Sequence, residues 1–358
     1  MGITRVGVVG CGGIFRGAHV PYLQWRGPGA GDGRDRVRVV AVADARRENA
    51  AQEAERFGAV LCDDWKSLLK RDDVDAVIIA THPRPHCEIA VAAARAGKHV
   101  LLEKPMCRTV AEADRMIAAA EKAGVRLQVA YIFRFWPSYL KLKELLSDGT
   151  LGKPHLVYCN QVGWFRPTHP WLFVRQESGG MLVEQAIHVF DEWLWLHGPV
   201  ASVFAQTSHV PVGGTYPERS KAVENNATVV VKFRSGATGL LIKSWAAEVG
   251  SGGEGVVCEN GSAKLGGGLT WKTREMAEPT TFTDAVPDDG SYPQVPREQR
   301  GRGYWGFASK GASIGHWLDC IEGKAAPATS GQVGRAGVEI AEAAYRSAKC
   351  GQPVTLPL

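Results

Sequence analysis

The chain contains no apolar run of about 18 residues, which excludes a membrane-spanning helix on length alone. It also has no Cys-x-x-Cys pair among its eight cysteines, so neither a zinc site nor a disulfide framework is suggested. Reduced, mostly buried thiols are expected instead. No dense block of one charge is present: 42 Lys and Arg against 37 Asp and Glu leave a formal charge of only +5, and the arginines are dispersed. A nucleic-acid partner is therefore not expected. The first nine residues run straight into a strand pattern without a charged n-region, an apolar h-region or a small-residue cleavage site, and the expectation is a cytoplasmic protein. No internal repeat is visible.

What is present suits two domains of ordinary size: 358 residues, 45% hydrophobic and 22% charged. The first third alternates apolar runs with helical periodicity. Strands are expected near residues 5–9, 37–43, 74–80, 99–102 and 126–130, with helices over 45–57, 87–96 and 110–123. Gly58, Gly97 and Gly124 stand where three of these helices should stop. Such βαβ alternation predicts a right-handed, doubly wound parallel sheet of the Rossmann type over residues 1–133.

From about Leu151 the pattern changes to alternating β-branched segments at 156–162, 227–233 and 238–244, with one long helix expected between the first two. Arg234-Ser235-Gly236 reads as a hairpin turn between two of them. Residues 134–358 are thus expected to form an α+β domain with an open, largely antiparallel sheet, serving substrate binding and oligomerisation. The glycine-rich insertion 27–36 and the polar stretch 275–303 read as loops, and an amphipathic helix is expected near 332–348.

Several residues carry chemistry. The first strand leads into Gly10-Cys11-Gly12-Gly13-Ile14-Phe15, whose glycines permit a tight turn and a close approach to a pyrophosphate. The third fingerprint position is Phe15 instead of Gly or Ala, so helix and strand must pack differently there. The second strand ends at Asp44, whose carboxylate can accept both adenosine ribose hydroxyls and repels a 2′-phosphate; it can equally cap the following helix. NAD is favoured, and NADP stays open because Arg46 and Arg47 follow directly.

The run from Lys98 to Pro105 places Glu103 and Lys104 at the carboxyl end of a short strand, where parallel sheets keep their ligands. In the second half, Ser178-Gly179-Gly180 precedes a helical stretch over 181–197 in which Glu184 and His188 are four apart and share a face, with Asp191 three further on. A histidine can take a hydroxyl proton as a hydride leaves the same carbon, oriented by a neighbouring carboxylate. A metal on Glu184 and His188 lacks an obvious third ligand. Among the eleven tryptophans, Trp171 is the best candidate for a wall against a sugar ring, with Trp164 and Phe173 nearby. Arg134 reads equally as an anion contact or a structural salt bridge.

At this point the chain resembles the glucose-fructose oxidoreductase / inositol dehydrogenase (Gfo/Idh/MocA) family over nearly its whole length. The likeness is carried by Gly10 to Ile14 with His19, by Thr81 and His86, by Ala96 to Val100, and by Glu103-Lys104-Pro105. It continues through Arg134, Pro137, Gly149-Thr150-Leu151-Gly152, the Gly179 to Asp191 stretch and Val354 to Pro357. Glu184 stands where many relatives have aspartate, and Thr81-His82-Pro83 replaces their usual Thr-Pro.

The resemblance implies an NAD(P)-dependent dehydrogenase of a sugar, cyclitol or related polyol, assembled as a homodimer or homotetramer. By the same resemblance Lys104 binds and polarises the reacting hydroxyl, His188 is the acid/base, and Glu184 helps hold the substrate; Trp171 and Arg134, read from the residues themselves, are the further substrate candidates. The cofactor is expected against Gly10, Gly12, Gly13, Ile14, Asp44, Arg46, Thr81, His86, Glu103 and Lys104, and Lys104–Pro105 is expected to be cis. Two other outcomes stay open: a glycosidase that oxidises its substrate transiently, and a non-catalytic NAD-sensing regulator.

Overall fold

The structure, a computed structural model, describes residues 2–27, 35–165, 169–210, 223–284 and 304–358. Most of the insertion 27–36 lies outside the described residues. The chain divides into two compact units, and residues 304–335 belong with the first of them.

In the first unit the elements alternate as the apolar periodicity requires. They begin β1 (Thr4–Val9), α1 (Val20–Trp25), β2 (Val37–Ala43), α2 (Arg47–Phe57), β3 (Val60–Leu61) and α3 (Trp65–Leu69). They continue β4 (Ala76–Ile79), α4 (His86–Arg95), β5 (His99–Leu102), α5 (Val110–Ala123) and β6 (Leu127–Val129). All six strands are parallel, in the order β3-β2-β1-β4-β5-β6. Chain direction across the sheet reverses between β1 and β4, the switch point at which open α/β sheets bind nucleotides. Gly58, Gly97 and Gly124 adopt φ of 60°, 71° and 66°, the left-handed conformation that ends a helix at little cost when no Cβ is present.

β3 and α3 were not foreseen. α3 nevertheless has a local signature, a capping box in which Asp64 accepts from the Ser67 N–H while Ser67 answers the Asp64 N–H. Phe15, at the third fingerprint position, is fully buried, and the chain there winds as a wider π-helical turn over Phe15–His19 before α1 begins. Phe15 stacks on His19 at 5.9 Å and meets Phe57 at 6.4 Å.

The second unit begins with α6 (Pro137–Ser147), β7 (Pro154–Trp164), α7 (Arg175–Ser178), α8 (Met181–Glu184) and α9 (Ile187–His197). Its sheet is completed by β8 (Val200–Ser208), β9 (Asn226–Phe233), β10 (Thr238–Ser244), β11 (Ala246–Cys258), β12 (Gly261–Leu265), β13 (Leu269–Thr273) and β14 (Thr280–Phe282). Two long helices follow, α10 (Tyr304–Ile321) in the first unit and α11 (Gly331–Cys350), which starts in the first unit and continues into the second, before β15 (Val354–Thr355).

The nine strands run in the order β14-β13-β12-β11-β7-β10-β9-β8-β15, antiparallel except where β10 lies parallel to β7. The turn at Arg234-Ser235-Gly236 closes the β9–β10 hairpin, with Gly236 at φ 97°. β14 corrects the reading of 275–303 as loop for its first part; residues 285–303 lie outside the described set.

Alternation sorts this sheet into two faces. Val157, Cys159, Val229, Val231 and Leu241 are buried on one. On the other, Leu156 and Val257 face each other across β7 and β11, and Tyr158, Leu240 and Val230 form a row across β7, β10 and β9. Leu156, Ile242 and Val257 on this second face are 39–42% exposed.

The buried face holds an unexpected polar group. Glu192 of α9 is buried and Glu254 of β11 is half-buried; burial, then the Glu254 charge, raises the Glu192 carboxyl well above its ordinary range. Burial also raises Glu254, opposed by hydrogen bonds from Glu192, Tyr139 and Cys159. Two such carboxyls share a proton. Asp191 and Lys243 are the charged residues nearby that act on this cluster.

Because the folded state holds Glu192 protonated at pH values where the unfolded chain ionises it, its contribution is intact in acid and is lost as pH climbs toward the raised folded value. Glu192→Gln is therefore expected to flatten the fall of thermal stability as pH rises above the ordinary carboxylate range. Melting curves that fall equally steeply in the variant would contradict the assignment.

Candidate functional site

At the switch point, Gly10 turns with φ 94°, and a Cβ there would lie 2.7 Å from the Ala80 carbonyl, so only glycine brings β1 this close to the end of β4. Gly12 and Gly13 have nothing within 4 Å of a built Cβ, which leaves backbone open to a bound group, and Ile14 beside them is 46% exposed. Asp44, just past β2, accepts the Cys11 N–H at 2.7 Å through Oδ2 and the Arg46 N–H at 2.7 Å through Oδ1. It is not the cap of α2, whose N-cap position is Arg46. Asp44 instead ties the glycine loop to the second strand and holds a carboxylate beside it. Burial and then the Asp44 charge push the Cys11 thiol up to about 12, so it stays protonated and unreactive.

The ends of β4 and β5 carry Thr81, His86, Glu103 and Lys104. His86 is fully buried, its ring 3.1 Å from the Thr81 carbonyl and 3.0 Å from the Pro105 carbonyl. Burial lowers its pKa, so the neutral ring donates to one of these at a time. It braces two loops from inside.

Glu103 is also an internal group, 3% exposed. Its Oε1 accepts from His19 Nε2 and from Lys310 Nζ, each at 2.6 Å, and its Oε2 accepts the Lys104 N–H at 3.2 Å. Burial alone would raise this carboxyl, but Lys310 and His19 outweigh it and hold it below the usual carboxylate range. His19, lowered by burial, is neutral and donates through Nε2. The half-buried Lys104 thus follows a buried ion pair and precedes a cis Lys104–Pro105 bond. Lys310, on α10, was not foreseen; a single lysine among the small residues of Ala308 to Ser313 was the available signal.

Arg134 gives its Nη1 to the Ala328 carbonyl at 3.0 Å and belongs to the first unit. In the second unit, Glu184 and His188 do not share one helix. The expected stretch 181–197 is interrupted: α8 ends at Glu184 and α9 begins at Ile187. Gln185 and Ala186 between them stay in the right-handed helical region, and the Gln185 Oε1 accepts from Trp245 Nε1 at 2.7 Å. Glu184 is buried, His188 is half-buried, and Asp191, on the same helix as His188, is 1% exposed. Trp171 sits in a short turn over Pro170–Phe173, stacked on His169 at 6.4 Å.

A parallel sheet in the 3-2-1-4-5-6 order, an open glycine turn at its switch point and a carboxylate at the end of β2 define an NAD-binding oxidoreductase fold. Residues 4–131 match a family described as oxidoreductase family, NAD-binding Rossmann fold, and residues 139–264 match its GFO/IDH/MocA C-terminal domain. The chain belongs to the Gfo/Idh/MocA oxidoreductases.

Among its relatives, myo-inositol 2-dehydrogenase of Thermotoga maritima is 33% identical over 243 residues, 67% of this chain and 68% of that one. Levoglucosan dehydrogenase of Pseudarthrobacter phenanthrenivorans is 31% identical over 263 residues, 66% of each chain. A solved levoglucosan dehydrogenase in complex with NADH and L-sorbose superposes with a TM-score of 0.85 at 25% identity, covering all of both chains. The WlbA dehydrogenase of Bordetella pertussis, in complex with NADH and UDP-GlcNAcA, gives 0.80 at 26%, covering 99% of this chain and 98% of that one. The cofactor is NAD, and the open backbone at Gly12 and Gly13 with Asp44 alongside fits it.

Proposed function

We propose that the protein oxidises a secondary alcohol of a sugar, cyclitol or related polyol, with Lys104 and His188 acting on the same hydroxyl. The observation that carries the reading is the placement of Lys104 on the strand-end edge that also carries the glycine turn and Asp44, held from inside by Glu103. NAD supplies the hydride acceptor at nicotinamide C4. Lys104 donates a hydrogen bond that stabilises negative charge on the substrate oxygen, and His188 takes the hydroxyl proton as the C–H bond breaks. Glu184 and Trp171 bind the remaining hydroxyls and ring face. Residues 1–133 serve the cofactor and 134–358 the substrate and assembly.

The relatives named for inositol and levoglucosan support a cyclic polyhydroxyl substrate. A panel of cyclitols, aldoses and anhydrosugars, read by NADH fluorescence with NAD and with NADP, is expected to give turnover with NAD on at least one ring polyol. Net hydrolysis without NADH, or no turnover across the panel, would overturn the proposal.

The partly exposed apolar row of Leu156, Tyr158, Val230, Leu240 and Ile242 supports face-to-face pairing of two copies through the second sheet. Light scattering is expected to give a dimer or tetramer, reduced to a monomer by Ile242→Glu; a monomeric wild type would refute it. The eight thiols, six of them buried, support a cytoplasmic location.

A further inference from the structure

Ahead of the catalytic segment, the second unit builds a polar clamp from three separate parts of the chain, with a buried carboxylate, a half-buried tyrosine and an exposed arginine. Glu224, 5% exposed, accepts from Arg175 Nη2 at 2.5 Å through Oε2, and from the Tyr345 hydroxyl at 2.5 Å through Oε1. The same Oε1 accepts the Leu182 N–H at 3.1 Å, and Tyr345 Oη lies 3.1 Å from that N–H as well. The Arg175 guanidinium covers the Tyr345 ring at 4.2 Å.

Leu182 is the second residue of α8, whose own cap, Gly180, offers no side chain to its N–H groups. The clamp supplies that acceptor from a distant strand end and helix. It also explains the second glycine of Ser178-Gly179-Gly180: with φ 99°, a Cβ at Gly180 would collide with Tyr345 Oη and lie 3.0 Å from Arg175 Nη1. α8 has only four residues, and its last is Glu184; after two intervening residues α9 begins at Ile187 and carries His188. So short a helix has little rigidity of its own and takes its position from what grips its first turn.

We infer that Glu224, with Arg175 and Tyr345, is a positioning residue that fixes where Glu184 and His188 meet the substrate. The inference rests on the reading of His188 as the acid/base. It assigns these three residues a role in turnover without contact to the reacting atoms, at a place where a small misplacement of the base slows reaction far more than it weakens cofactor binding.

The test is a double-mutant cycle between Glu224→Gln and His188→Ala, with kcat, the pH profile of kcat, and NAD affinity as readouts. Glu224→Gln is expected to lower kcat by about 10- to 100-fold, to shift the acid limb of the profile, and to leave NAD affinity within about twofold. In the His188→Ala background the same substitution is expected to cost almost nothing further, because what it positions is gone. A purely structural role would give the same fold-loss in both backgrounds, and that result overturns the inference.

Loss of turnover in His188→Ala with wild-type kcat and profile in Glu224→Gln sinks the clamp alone. Wild-type turnover in His188→Ala sinks the catalytic reading and the clamp with it. Should Glu224→Gln fail to fold, Tyr345→Phe carries the same cycle, since it leaves Glu224 bound to Arg175 and Leu182.

Discussion

Lys104→Ala and His188→Ala are each expected to lose on the order of 10²- to 10⁴-fold in kcat, the range typical of removing a positioned acid, base or charge stabiliser. NAD should still bind to both, since the glycine turn and Asp44 are built on β1 and β2 and need neither side chain. Lys104→Arg is expected to recover little, because a planar guanidinium cannot put a point charge where the ammonium stands. Stopped-flow measurement of NADH formation, with NAD binding followed by protein fluorescence, separates loss of chemistry from loss of binding. Unimpaired turnover in either alanine variant would reject its role.

Lys310→Met is expected to be the most destabilising single change outside the hydrophobic core. It removes the cation from a carboxylate that is 3% exposed and leaves Glu103 with only a neutral imidazole and a backbone N–H. Breaking a buried pair in this way costs about 3–5 kcal/mol. Replacing both partners, as in Glu103→Gln with Lys310→Met, should return much of that loss, because no uncompensated charge is left inside. Turnover should not return with it, since Lys104 loses the carboxylate that holds its own N–H. Denaturation midpoints of the two variants check the first statement, and kcat checks the second. Equal stability of the single and double variants would show that the ion pair is not what the carboxylate depends on.

Much of the first unit was legible because its information is local. Strand periodicity, helix periodicity and the stop glycines at 58, 97 and 124 each act within a few residues, and each of those elements forms close to its expected place. The family likeness extended that reach to the cis bond and to the class of chemistry. What stayed hidden is non-local. Lys310 lies 207 residues from Glu103, and Tyr345 lies 121 from Glu224; nothing in spacing joins them.

The break between α8 and α9 was hidden for a related reason. Residues 181–197 have unbroken helical periodicity, and the partner of Gln185 in the break, Trp245, lies 60 residues away. The Glu192 and Glu254 pair follows the same rule. Asp191 and Glu192 stand between Val189-Phe190 and Trp193, which marks a buried polar site, but the partner of Glu192 on β11 is set by tertiary packing that no local spacing records.

Phe15 shows the converse. There the sequence departed from the glycine fingerprint and forced a question, and the π-helical turn is the structural answer.

The most direct test of the account is a crystal structure of the protein with NAD and a polyol found active in the panel. The account predicts Lys104 Nζ and His188 Nε2 both within about 3 Å of one substrate hydroxyl whose carbon faces nicotinamide C4. A substrate held with either side chain turned away from that hydroxyl would contradict it.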